Sequence, residues 1–148
     1  MLFRSDSNSN FREGMDIALE IDAAWRRQNS VLHSAGHLLA GVVEALYSEV
    51  KATNAHHYPG EARVDFTAPH DCEVNVSIVN AKIHDALKSN VPTSTFVHPD
   101  GMRYVKVGGY PSVGCGGTHV AAVGDISSLI ITKIAQKKGA LRIGYSAT

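Results

Sequence analysis

Residues 22–47 read DAAWRRQNSVLHSAGHLLAGVVEALY, and the fold is decided by this stretch. Val31, Ala35, Leu38, Val42 and Leu46 recur at helical spacing, and Leu32, Leu39 and Val43 widen the stripe. That pattern is an amphipathic helix, with Asp22 as its N-cap and an end near Tyr47. His33 and His37 stand at i and i+4 on it, so their imidazoles share one face about a turn apart. Two ring nitrogens so placed can hold one metal ion. Gly36 costs a helix interior roughly 1 kcal/mol against Ala. Its use there is to keep the helix face thin, so that another group can come close.

Working outward, Ile17, Leu19 and Ile21 alternate with polar or small neighbours and predict a strand before the helix. After it, residues 51–58 and 61–67 are extended, with Ala62, Val64 and Phe66 on one side. Pro59-Gly60 between them makes the pair a hairpin. Residues 72–90 carry both periods; their length, and Pro92 beyond them, favour a helix. Short strands follow over 93–97, 103–107, 119–123, 129–135 and 141–145. Elements in blocks predict an α+β fold: a largely antiparallel sheet packed against two helices, one carrying the His pair.

The 148 residues are 44% hydrophobic and 19% charged, the balance of one globular domain. We expect residues 1–13, rich in Ser and Asn, to be flexible and residues 14–148 to form the domain. Lys+Arg and Asp+Glu are 14 each, so any polyanion has to be met by a local patch. Cys72 and Cys115 are too few for a disulfide scaffold. No signal peptide or membrane span is legible, which predicts a cytoplasmic protein. Eight histidines are the unusual feature.

Cys115-Gly116-Gly117-Thr118-His119 places a thiol and an imidazole four residues apart around a double glycine. Gly-Gly permits positive φ and a turn tight enough for both side chains to reach one centre. The bland reading is a glycine turn with a buried thiol; such a turn needs neither ligand. His33, His37, Cys115 and His119 together make a tetrahedral zinc set.

The two motifs, some eighty residues apart, resemble the editing domain shared by alanyl- and threonyl-tRNA synthetases, and most of all the freestanding AlaX-type alanyl-tRNA editing proteins. The resemblance runs from about Asp16 to Tyr145. It includes Arg26-Arg27, His56-His57-Tyr58-Pro59-Gly60, Arg103-Tyr104-Val105 and Gly124-Asp125-Ile126. Asp stands at 65 and 125 where the family often has Glu. Set against longer relatives that carry an N-terminal barrel and a C-terminal extension, the resemblance leads us to expect a minimal form.

What the resemblance implies is a zinc-dependent hydrolase that deacylates mischarged tRNA(Ala), with seryl-tRNA(Ala) as the expected substrate and glycyl-tRNA(Ala) as a second candidate. Small side chains differ too little in binding energy for one pocket to separate them, so a second, hydrolytic site is needed. Two alternatives are threonyl-type editing of seryl-tRNA(Thr) and a zinc-binding module that does not edit. Thr53, His33 and His37 are the candidate catalytic residues. Thr53 stands where the family places a threonine facing the substrate, as a reader of the serine hydroxyl; its bland reading is an edge-strand Thr. His56 and His57 either line the same mouth or lie on the surface. A peptidase is disfavoured, because Ser34 occupies the place of the Glu in H-E-x-x-H. Arg26 and Arg27, with Lys133, Lys137, Lys138 and Arg142 near one hairpin, are the candidate phosphate contacts. Recognition of the tRNA itself rests on the resemblance alone.

Overall fold

A computed structural model describes residues 12–16, 18, 20–137 and 139–148. In chain order its elements are α1 (Ala23–Leu46), β1 (Lys51–His56), β2 (Arg63–Thr67), α2 (Val76–Ser89), β3 (Ser94–Val97), β4 (Arg103–Lys106), β5 (Val113–Gly114), a 3-10 turn (Val123–Asp125), β6 (Leu129–Lys137) and β7 (Ala140–Ala147). The strands form two sheets, ordered β1-β2-β7-β6 and β3-β4-β5, and every strand pairing is antiparallel. The α+β class is as the sequence predicts, with the sheet divided in two.

The Asp22 side chain accepts from Trp25 N at 2.9 Å and starts α1. Its stripe of Ala35, Leu38, Leu39, Val42 and Val43 is fully buried. Strand alternation turns Val64 and Phe66 of β2, and Leu141, Ile143 and Tyr145 of β7, toward the same core. Each large apolar side chain so buried contributes about 1.5–3 kcal/mol, which fixes α1, and with it the His pair, on this sheet. Gly60, at φ 82°, makes the β1–β2 turn.

In the ambiguous segment the helix period prevails from Val76 onward. Asn75 accepts from both Ser77 N and Ile78 N, and Asn90 adopts a left-handed conformation (φ 47°) just past the last turn. Cys72 therefore precedes α2 in a turn, with its N–H on Pro69 O, and does not begin the helix.

Among the described residues, neither the strand expected before α1 nor the one expected over 119–123 is formed. Asp16, Ala18, Glu20 and Ile21 are exposed and outside any strand. Ile17 and Leu19, like residues 1–11, lie outside the described residues, so the expected flexible segment falls almost wholly there. Residues 119–122 form no ladder either. Their backbone groups are taken up by Ser34, which receives Val120 N at 3.0 Å, and by the 91–93 loop, where Thr93 N donates to Ala121 O at 2.8 Å. Among the described residues, no helix is long and apolar enough to cross a membrane.

Candidate metal centre

His33 and His37 project from α1, with ring centroids 5.0 Å apart. The loop leaving β5 brings Cys115 and His119 to them. Cys115 Sγ lies 3.3 Å from His33 Nε2, and one ligand atom from each of the four residues lies within 4.8 Å of all the others. His37 Nε2 and His119 Nε2 are buried with no hydrogen-bond partner among the described residues. Such orphaned nitrogens are costly, and here both belong to one group of metal-binding donors. One soft thiolate with three imidazoles suits a tetrahedral zinc, so the residues fit a metal.

The ligand loop is held from several sides. Cys115 N donates to Arg103 O at 2.8 Å, the Arg103 guanidinium donates to Gly117 O, and Gly117 N donates to Cys115 Sγ at 3.4 Å. The double glycine acts differently from expectation: neither Gly116 nor Gly117 is at positive φ. Gly117 is required by close approach, since a Cβ there would lie 2.0 Å from His33 Cε1, whereas one on Gly116 would meet nothing within 4 Å.

Ser34, fully buried between the two helical ligands, was missed as a functional residue. Its hydroxyl lies 3.3 Å from His119 Nδ1 while it accepts from Val120 N. An Nδ1–H donated to Ser34 would leave His119 Nε2 as the lone pair facing the other ligands. The available signal was a serine on the apolar stripe itself.

His57 overturns the surface reading. Its ring stacks on His33 at 4.4 Å between centroids. Its Nδ1 lies 2.6 Å from the Tyr145 hydroxyl, which donates to Leu32 O at 2.8 Å. Gly36 makes room for this: a Cβ there would sit 2.3 Å from His57 Cε1 and 2.5 Å from the Tyr145 oxygen. The thin helix face thus admits a side chain. His56 stays outside, 3.6 Å from Glu61.

Burial, reinforced by Arg103, lowers the pKa of His33. Burial and then the neighbouring His33 push His37 down to about 4. His119 and His57 fall to about 3, by burial first and then by the surrounding basic groups. At neutral pH all four imidazoles are uncharged, the form that binds metal.

Thr53 sits on β1 where the register with β2 shifts between Ala52 and Asn54, and its hydroxyl donates to Asp65 O at 3.1 Å. It is exposed, and a small cavity against His37 is lined by its neighbour Ala52 instead. The described cationic candidates lie on α1, β6 and β7. Arg26 and Arg27 are exposed on the first turns of α1. Lys133 and Arg142 share a groove of about 620 Å³ with Arg63. Arg142 is held by Asp65 through two hydrogen bonds, at 2.6 and 3.1 Å. Lys137 is exposed on β6, and Lys138 lies outside the described residues.

No protein-family model matches the chain. Among curated proteins, it is 28% identical over 143 residues to the alanine–tRNA ligase of Acidithiobacillus ferridurans, covering 83% of this chain and 16% of the ligase. It is 24% identical over 153 residues to the alanyl-tRNA editing protein AlaX-L of Pyrococcus horikoshii, covering 91% of this chain and 38% of that protein. The ligase of Saccharopolyspora erythraea gives 27% over 137 residues, 76% of this chain and 15% of the ligase. Its relatives are alanine–tRNA ligases and an alanyl-tRNA editing protein. They support the AlaX-type resemblance that the two motifs carry. The chain spans about a sixth of the ligases and well under half of AlaX-L.

Proposed function

We propose that this chain is a zinc-dependent deacylase that hydrolyses seryl-tRNA(Ala), and also glycyl-tRNA(Ala). The observation that carries the reading is the four-residue ligand group with its two orphaned Nε2 atoms. It occurs in a chain whose relatives include a protein named for alanyl-tRNA editing.

The reaction adds water oxygen to the ester carbonyl carbon, breaks the bond to the ribose oxygen, and returns a proton to that oxygen. Zinc held by His33, His37, Cys115 and His119 would supply Lewis acidity to the carbonyl and lower the pKa of a water. The chain contributes the rest. His33 and His37, on one rigid helix, and Cys115 and His119, on a loop tied to Arg103 and Ser34, hold the donors in a fixed geometry. Thr53 is the hydroxyl reader in this proposal. Because its own proton goes to Asp65 O, its oxygen is left to accept from the serine hydroxyl, which alanine lacks. Arg26, Arg27, Lys133, Lys137 and Lys138 offer phosphate contacts, while Arg142 shares its charge with Asp65.

The test is deacylation of seryl-, glycyl- and alanyl-tRNA(Ala) and of seryl-tRNA(Thr), with zinc, with chelator, and with zinc restored. Zinc-restorable loss of the serine ester from tRNA(Ala) is expected. Preference for tRNA(Thr) would favour threonyl-type editing, and zinc binding without hydrolysis of any ester would leave a non-editing module.

A further inference from the structure

The stripe of α1 that carries the metal pair does not end at His37. Ala40, Gly41 and Glu44 follow at i+3, i+4 and i+7, so they lie on the same face. They line a cavity of about 100 Å³ that begins at His37 and is closed by Ala52, Tyr110 and Val113. Gly41 permits this shape, because a Cβ there would sit 2.5 Å from Tyr110 Cγ. The volume is that of about three waters, at roughly 30 Å³ each. It is far below the several hundred Å³ of an ordinary small-molecule pocket. A nucleoside does not fit; a group of about three heavy atoms does.

Apart from His37 and Tyr110, the walls are mostly aliphatic (Val105, Val107 and Val113 among them), with Glu44 as the charged lining residue. Glu44 Oε1 accepts from Ala52 N at 2.7 Å. That bond fixes the carboxylate and leaves its second oxygen free for another donor. A fixed carboxylate at a small, largely apolar cavity next to a metal ligand is a receptor for a compact cation. In an aminoacyl ester, the compact cation next to the reacting carbonyl is the α-ammonium group.

We propose that this cavity receives only the α-ammonium group of the ester, bound by Glu44, while the amino-acid side chain stays outside it, so that substrates must carry an unacylated amino group. The proposal rests on the deacylase reading. It adds a specificity residue on α1, one helical turn beyond Gly41, and a requirement for a free amino group.

The experiment compares Glu44→Gln with the unmodified protein, both zinc-loaded. It uses seryl-tRNA(Ala), N-acetylseryl-tRNA(Ala) and, as a binding probe, the non-hydrolysable 3′-serylamino-3′-deoxyadenosine. Glutamine keeps an oxygen for Ala52 N and removes only the charge. KM for seryl-tRNA(Ala) and Kd for the probe should rise about ten- to a hundred-fold, as for a lost hydrogen bond to a charged group. Turnover of the N-acetylated ester should be the same in both proteins. Ala52→Met, which fills the cavity and leaves Glu44 in place, should weaken the probe as well. A probe that binds both Glu44→Gln and Ala52→Met as tightly as the unmodified protein overturns the inference and leaves the deacylase reading standing. An unmodified protein that neither binds the probe nor hydrolyses any ester overturns that reading, and this one with it.

Discussion

The two adjacent glycines of the ligand loop should behave as opposites under one substitution. A Cβ on Gly117 would lie 2.0 Å from His33 Cε1 and 2.3 Å from His33 Nδ1, whereas a Cβ on Gly116 would have open space around it. Carbon atoms reach comfortable contact near 3.5 Å, so Gly117→Ala must move the loop or the His33 ring by more than about 1 Å. Metal–ligand distances tolerate deviations of about 0.2 Å, so the displaced ring no longer completes the donor set. The structure therefore predicts a fall in zinc affinity of about a hundred-fold or more in Gly117→Ala, roughly 2.7 kcal/mol or above. Gly116→Ala should stay within about threefold of the unmodified protein. Competition against a chromophoric chelator measures both, and thermal unfolding of the metal-free proteins checks that each variant folds. Equal affinities for the two variants would refute the close-approach argument and show that the loop yields freely.

Gly36→Ala pits helix propensity against packing. Alanine gains about 1 kcal/mol in the helix, but its Cβ would strike His57 Cε1 at 2.3 Å. Overpacking costs about 1–3 kcal/mol, and the lost His57–Tyr145 bond about 1 more. A net loss of about 1–3 kcal/mol is expected, read as a Tm lower by about 2–4 °C for each kcal/mol; an unchanged or higher Tm contradicts it. Acid should destabilise the metal-free protein. His37 has a folded pKa of about 4 against about 6.5 unfolded, so the unfolded state binds more protons in this window. Stability is then full above pH 6.5 and is lost as pH falls toward 4, with His37 alone costing about 2 kcal/mol at pH 5. His57 and His119 add in the same direction but count at less than full value, being partly exposed and mutually repelling. Denaturant titrations at pH 7 and pH 5 measure the loss, and equal stability would refute the buried neutral histidines. Thr53→Val should lower the ratio of seryl- to alanyl-tRNA(Ala) hydrolysis about five- to a hundred-fold at constant zinc content. Equal slowing of both substrates would leave Thr53 a structural residue of the β1 bulge.

The sequence by itself determined what depends on short range. The α1 stripe, its Asp22 cap, the hairpin at Pro59-Gly60 and the two ligand pairs each lie within a few residues, where backbone period and side-chain chemistry suffice to read them. Ser34, His57 and Glu44 were legible only as a serine in a helix, a histidine after a strand and a charge interrupting an apolar run. Their surroundings come from other parts of the chain: Ser34 meets Val120, His57 meets Tyr145 and His33, and Glu44 meets Ala52 and a cavity walled by Tyr110. The same distance accounts for residues 119–122, part of the short strand expected over 119–123. Their hydrogen bonds went to a buried serine and a loop once His119 was drawn toward α1. The local pattern fixes which way a side chain points, and long-range packing decides what it meets there.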